Sequence, residues 1–179
     1  MKRTFFLIVI ALLFIEGIGN ELLAQPKKGL IGIAINLTKG FLVSQDISTP
    51  QAPFTLGFIY LPSDKLHLEG DIGLRVQKDT SGSTSSEFVF GSNIWYVIQN
   101  YEELSTFAGG GIHIGSSNRP KAAGSSLLAL NVFYGTEYWF DKHFACNGRL
   151  GIVYARYSIS SKPATDFYTS AQIGLTWYF

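Results

Sequence analysis

Eight segments in which apolar and polar side chains alternate with period two predict an all-β chain, an eight-stranded antiparallel up-and-down transmembrane β-barrel. Two further observations place it in a membrane. Charged residues make up only 15% of the chain, too few to cover a water-facing surface. The bulky apolar residues also lie on the opposite strand face from the charged ones.

The alternation predicts strands over 29–37, 53–61, 64–77, 86–98, 103–115, 125–140, 143–158 and 165–179. In the third, Leu66, Leu68, Gly70, Ile72, Leu74 and Val76 share one face, and Lys65, His67, Glu69, Asp71, Gly73, Arg75 and Gln77 share the other. In the sixth, Leu128, Leu130, Val132, Tyr134, Tyr138 and Phe140 oppose Asn131 and Glu137. In the last, Phe167 to Phe179 at odd positions oppose Tyr168 to Tyr178 at even ones. An amphipathic helix would repeat its apolar residues at three and four instead. The connections at Pro62-Ser63, at Gln99 to Glu102 and at Asp141-Lys142 are tight, whereas 38–52, 78–85, 116–124 and 159–164 are longer and polar. Short turns at one end and longer loops at the other are the build of an outer-membrane barrel.

The first residues read as an export signal covering 1–24, leaving 25–179 as one barrel domain. Lys2 and Arg3 precede an unbroken apolar run from Phe5 to Ile15, and Leu22-Leu23-Ala24-Gln25 offers a cleavage point after Ala24. The run is shorter than the roughly 20 residues a spanning helix needs. A mature chain without such a helix can cross a bilayer only as a closed barrel. The single cysteine, Cys146, excludes an intramolecular disulfide and reads as a small apolar filler. Fourteen basic against 13 acidic residues give no excess that would point to nucleic acid.

Three arguments turn the greasy face outward. Bulky residues crowd it, while the polar face of strand one carries Gly32, Ala34 and Asn36, which suit the narrow interior of eight strands. A soluble barrel would instead present nearly charge-free strands to water. Aromatic residues also crowd both strand ends: Tyr60, Tyr96, Tyr138, Phe140, Phe144, Trp177 and Phe179 at the short-turn rim, and Phe54, Phe88, Tyr154 and Phe167 at the other.

Charges on the inward face then need partners. The expected lumen network comprises His67, Glu69, Asp71, Arg75, Glu87, His113, Glu137 and Arg149. A three-residue turn around Lys142 sets Phe140 opposite Phe144 and Glu137 opposite Asn147, with Arg149 as the diagonal neighbour of Glu137. Arg75 and Glu87 meet near the outer ends of paired strands, and Glu69 and Asp71 are left to find Arg149 across the lumen, or water. Arg156 breaks the parity by pointing outward, where snorkelling to a headgroup accounts for it. The network reads as a plug that stiffens the barrel; the rival reading is a narrow polar path. Gly109-Gly110-Gly111, mid-strand, relieves crowding.

The chain stops at Leu175-Thr176-Trp177-Tyr178-Phe179. A last strand with alternating apolar residues and a final Phe resembles the signal read by the outer-membrane assembly machinery. With the export signal and eight strands, the chain resembles the small barrel proteins of the OmpA/OmpX-like class, and Ala24-Gln25 resembles signal peptides of the Bacteroidetes group. The resemblance implies a bacterial outer-membrane location, contact with outer-membrane lipid and lipopolysaccharide, and a monomer. It also implies an assembly signal at Leu175, Trp177 and Phe179, and a structural or surface-contact role without a cofactor. Lipid A deacylases of similar build carry a His-x-Ser-Asn arrangement; His113-Ile114-Gly115-Ser116-Ser117-Asn118 departs from it in spacing, so no catalytic or metal-binding residue is expected. A narrow solute channel, a lipid A-modifying enzyme and a soluble exported barrel are the rivals.

Overall fold

A computed structural model of the chain describes residues 28–41, 54–78, 83–118, 125–159 and 162–179. The expected signal segment 1–24 and the central parts of the four longer connections lie outside the described residues. The elements are β1 (Ile31–Phe41), β2 (Phe54–Ser63), β3 (Leu66–Lys78), β4 (Thr84–Tyr101), β5 (Leu104–Asn118), β6 (Ser125–Trp139), β7 (Phe144–Ile159) and β8 (Lys162–Tyr178). Each pairs antiparallel with its neighbours in sequence, and β1 pairs with β8 to close the barrel. The seam runs from Gly32 opposite Tyr178 to Phe41 opposite Thr169. Beyond it, Phe179 N donates to Ile31 O at 2.9 Å.

Closure satisfies the backbone, and parity then sorts the side chains. On β3, Ile72 and Leu74 are 38% and 62% exposed, while Glu69 and Asp71 are each 2% exposed. Ile33 and Ile35 on β1, Leu130 and Val132 on β6 and Leu175 on β8 continue the outer apolar surface. The arrangement is therefore the inverted one: grease outside, charge inside. At the short-turn end Tyr60, Tyr96, Tyr138, Trp177 and Phe179 are exposed. Half-buried Phe140 and Phe144 link them, with ring centroids 5.1 Å apart for Tyr138 and Phe140, 5.3 Å for Phe140 and Phe144, and 6.0 Å for Phe144 and Trp177. At the other end Phe88, Tyr154 and Phe167 are exposed, Tyr154 directly opposite Phe167. The side chain of Phe54 lies outside the described residues.

Local chemistry makes the short turns. Asp141 Oδ1 accepts from His143 N at 2.6 Å and from Phe144 N at 2.7 Å, an Asx-type closure that a carboxylate supplies. Glu102 takes the left-handed conformation (φ 41°) that a two-residue hairpin demands. The expected turn at Pro62-Ser63 is displaced. β2 continues to Ser63 through a register shift after Tyr60, and the turn falls at Asp64-Lys65. Proline has no N–H to give a ladder, which a bulge tolerates, and Ser63 Oγ then accepts from Leu66 N at 3.1 Å. Strands β4, β5 and β8 also run further toward the long loops than expected, to Thr84, Asn118 and Lys162. The added ends, Ser- and Thr-rich on β4, Ser- and Asn-rich on β5 and Lys-Pro-Ala on β8, have loop composition, but paired neighbours keep the ladder going.

The interior departs from the expectation of small residues. Its half nearer the short turns is filled by Trp95, Phe107, Phe133, Trp139 and Tyr178, packed with Ile59 and Leu61. Inward glycines make the room. A Cβ at Gly135 would lie 2.6 Å from Phe107 Cζ, and one at Gly109 would lie 2.8 Å from Phe133 Cε2.

An arginine on the lipid face tests this orientation. Leu150→Arg, at a position 69% exposed on the membrane-facing wall, is expected to destabilise the barrel by about 2–4 kcal/mol in urea unfolding from liposomes. Val76→Arg, beside Lys78 near the long-loop end, should cost about 1 kcal/mol or less. Equal, small effects at both positions would contradict a lipid-facing wall.

Candidate functional site: a charged network in the lumen

Five strands bring the central network together because each contributes inward polar positions at similar depth. β3 supplies Glu69 and Asp71, β1 Asn36, β4 Asn93, β6 Asn131 and β7 Arg149. Arg149 Nη1 donates to Glu69 Oε2 at 2.5 Å, with both side chains almost fully buried. Asn36 Nδ2 donates to Glu69 Oε1 at 2.9 Å and to Asp71 Oδ1 at 3.0 Å. Asn93 Nδ2 donates to Asp71 Oδ2 at 2.7 Å, and Asn131 Nδ2 to Asn93 Oδ1 at 3.3 Å. Two neighbouring carboxylates are thus held by amide donors and a single guanidinium.

The guanidinium sits among aromatic rings. Its central carbon is 4.5 Å from the Trp95 centroid, 5.2 Å from that of Phe133 and 5.7 Å from that of Phe107. A planar, delocalised cation stacks favourably on such faces, worth about 2 kcal/mol where water is excluded. The same rings deny the ion pair its hydration, so its geometry must be good for the pair to survive burial.

Glu137 forms a second centre nearer the short turns. Trp139 Nε1 donates to its Oε2 at 3.1 Å, and the Tyr178 hydroxyl donates to its Oε1 at 3.1 Å. The Trp139 and Tyr178 rings stack on one another, with centroids 4.7 Å and planes 22° apart. The geometry decides between the two partners expected for Arg149. Glu137 does lie opposite Asn147, and Phe140 N does bond Phe144 O, but Arg149 is bonded to Glu69 and not to its diagonal neighbour Glu137. Both Glu137 oxygens are already taken by ring donors, and the aromatic box holds the guanidinium toward Glu69.

The remaining expected residues are more loosely joined. Arg75 and Glu87 face each other in register with Nη1 3.7 Å from Oε2, and the Arg75 side chain is 42% exposed. An exposed cation at that separation adds little, about 0–1 kcal/mol. His113 is half-buried, with Nε2 3.8 Å from Asp71 Oδ2. His67 is fully buried against Trp95, their centroids 4.3 Å apart. Ser116 faces outward, on the opposite face from His113, while Ser117 faces inward and bonds Ser125 at 2.6 Å, so His113 to Asn118 do not converge. Among the described residues no group of three or more His, Cys, Asp or Glu could hold a metal ion. Leu175, Trp177 and Phe179 point outward, away from the network.

Sequence reading of charge alone passed over Asn93, Trp95, Trp139 and Tyr178, which hold the charges in place. Their signal was present on the inward parity of each strand: Asn93, Trp139 and Tyr178 carry hydrogen-bond donors, and Trp95 offers a ring face to Arg149.

Removing one partner of the buried pair leaves the other charge stranded. Arg149→Met is expected to lower stability by about 3–5 kcal/mol in urea unfolding from liposomes. The double variant E69Q/R149M should recover part of that loss. A cost below about 1 kcal/mol for R149M would mean the pair does not hold the barrel.

No protein-family model matches the chain, and no curated protein matches it. Solved structures do. The N-terminal β-barrel domain of Pseudomonas aeruginosa OprF aligns over 85% of this chain and 98% of its own, at 14% identity and a TM-score of 0.58. Neisserial surface protein A aligns over 84% and 96%, at 10% identity and 0.56. Ail, the attachment invasion locus protein of Yersinia pestis, in complex with the heparin analogue sucrose octasulfate, aligns over 85% and 99%, at 14% identity and 0.50. Likeness at these identities speaks to fold, and the exposed apolar wall speaks independently to lipid. By fold and by its lipid-facing surface, the chain is a small eight-stranded β-barrel of the bacterial outer-membrane type.

Proposed function

We propose that this chain is a non-enzymatic integral outer-membrane protein whose lumen is plugged by its own side chains, with a role in envelope structure or surface contact. The observation that carries the reading is the filling of the barrel axis at two levels. Arg149, paired with Glu69 and boxed by Trp95, Phe107 and Phe133, fills one level. The Trp139–Tyr178 stack on Glu137 fills the other. Eight strands enclose a space that side chains can fill, so these two layers suffice to block a solute.

The lumen residues His67, Glu69, Asp71, Arg75, Glu87, His113, Glu137 and Arg149 then act in stiffness rather than in passage. The outward side chains of Leu175, Trp177 and Phe179 fit recognition by the assembly machinery before insertion, and the exterior fits contact with lipid and lipopolysaccharide as a monomer. A surface-contact role is in keeping with the likeness to Ail, named for attachment.

The plug is tested by planar-bilayer recording on the folded protein. No steady conductance is expected from the unaltered chain. Steady steps that disappear on changing Glu137 or Arg149 would establish a narrow channel instead.

Catalysis is tested separately. Lipid A from cells with and without the protein should give the same mass spectrum. A changed acyl pattern that is lost in His113→Ala would assign a lipid-modifying enzyme.

A further inference from the structure

Of the described side chains on the strands, two charged ones have outward parity, Lys78 on β3 and Arg156 on β7. Both are cationic, both are exposed, and both stand near the long-loop end. The outer wall thus carries charge of one sign at one rim. Of the two, Arg156 has the more developed surroundings, which the strand register fixes.

Arg156 lies opposite Leu128 on β6 and Thr165 on β8. Two residues toward the short turns, Tyr154 lies between Leu130 and Phe167, and all three are exposed. Two residues toward the long loops, Ser158 lies between Ser126 and Pro163. Arg156, Ser126 and Thr165 are exposed, and Ser158 is half-buried. One guanidinium therefore has three hydroxyls around it and an apolar, aromatic platform beneath it. Directly opposed side chains stand about 5 Å apart and diagonal ones about 7–8 Å, so a single headgroup spans the set.

The level and the chemistry of this face select its partner. Aromatic rings mark where hydrocarbon meets headgroups, and two residues along a tilted strand rise about 5 Å beyond them. Arg156 thus reaches the headgroup layer, with an aliphatic stem suited to the platform below. A guanidinium fork matches the paired oxygens of a phosphate. Hydroxyls that both donate and accept match a sugar. The platform is continuous with the lipid-facing wall and matches acyl chains.

We propose that Arg156, Ser126, Ser158 and Thr165 form a docking site for the phosphorylated sugar headgroup of an outer-leaflet glycolipid, whose acyl chains lie along Leu128, Tyr154 and Phe167. This deepens the lipid-contact reading and rests on it, with the long loops outermost. It differs from snorkelling in being selective, since a snorkelling side chain takes any headgroup.

The test is NMR on the isotopically labelled, folded chain in phosphatidylcholine nanodiscs. Lipid A is added in one arm, and phosphatidylglycerol at equal charge in the other. Lipid A is expected to shift Arg156 Nε–H and the backbone amides of Ser158 and Thr165, while the short-turn end stays unmoved. Phosphatidylglycerol should shift them far less. In Arg156→Gln, half-maximal shifts at Ser158 and Thr165 should need about tenfold more lipid A, and Arg156→Lys, which keeps the charge and loses the fork, should fall between. Three results would overturn the site while leaving the membrane barrel standing. They are no shift with lipid A in the inserted chain, equal shifts from both lipids, and an unchanged lipid A response in folded Arg156→Gln. A chain that does not insert into the nanodisc at all overturns the membrane reading and the site with it. Should Arg156→Gln fail to fold, the comparison of the two lipids on the unaltered chain decides alone.

Discussion

A backbone that crosses hydrocarbon has no water to satisfy its N–H and C=O groups, and this constraint governs the rest of the molecule. The chain meets it by pairing β1 with β8, from Gly32 opposite Tyr178 onward. Closure at eight strands fixes the circumference, and the circumference fixes an interior only as wide as side chains can fill. Every inward residue must then fit its neighbours across the lumen as well as along the sheet. Every outward residue must suit lipid. Charge has no stable place on the middle of the wall, so the carboxyl groups of Glu69, Asp71 and Glu137 are confined to the axis, where they need donors.

The interior answers with two kinds of residue used in opposition. Large rings project from β4, β5 and β6, and glycines directly opposite them on the adjacent strand recede to admit them, as Gly135 does for Phe107. The rings exclude water from the axis, which strengthens the Arg149–Glu69 attraction and raises the cost of leaving either group alone. Polarity and bulk are not separate contributions here. The aromatic box gives the ion pair its low-dielectric setting, and the ion pair gives Trp95 and Phe133 a charged face to stack on.

The parts of this design that depend on neighbouring strands were legible in the sequence. Alternation on β3 sorted outward Ile72 from inward Asp71, turn length set Glu137 against Asn147, and pairing across the 78–85 loop brought Arg75 near Glu87. Contacts across the lumen were legible only as alternatives: spacing puts Arg149 within reach of Glu137, and leaves Glu69 and Asp71 to find Arg149 or water. Arg149 is a diagonal neighbour of Glu137 along the sheet, yet it bonds Glu69 from the far wall. That choice follows from how the closed barrel brings β3 toward β7, which no local pattern encodes. Local signals also misled where context overrode composition. Pro62 has the look of a turn, but a bulge carries it inside β2, and the polar ends of β4 and β5 remain paired.

The two carboxyl centres divide the axis in a way that bears on passage. Glu69 is held by a long, many-jointed side chain, an arginine, but one whose flat faces are clasped by three rings. Glu137 is held by two rings that also stack on each other. A solute moving along the axis would have to part Arg149 from Glu69, swing it out of its aromatic box, and then separate Trp139 from Tyr178. Each step exposes a buried charge or an unpaired ring donor before any new contact replaces it. The steps are also coupled, because Phe107 and Phe133 pack within the same buried cluster as Trp139 and Tyr178. Two such layers would oppose conduction through packing as much as through charge, and that is the physical basis for the proposed plug.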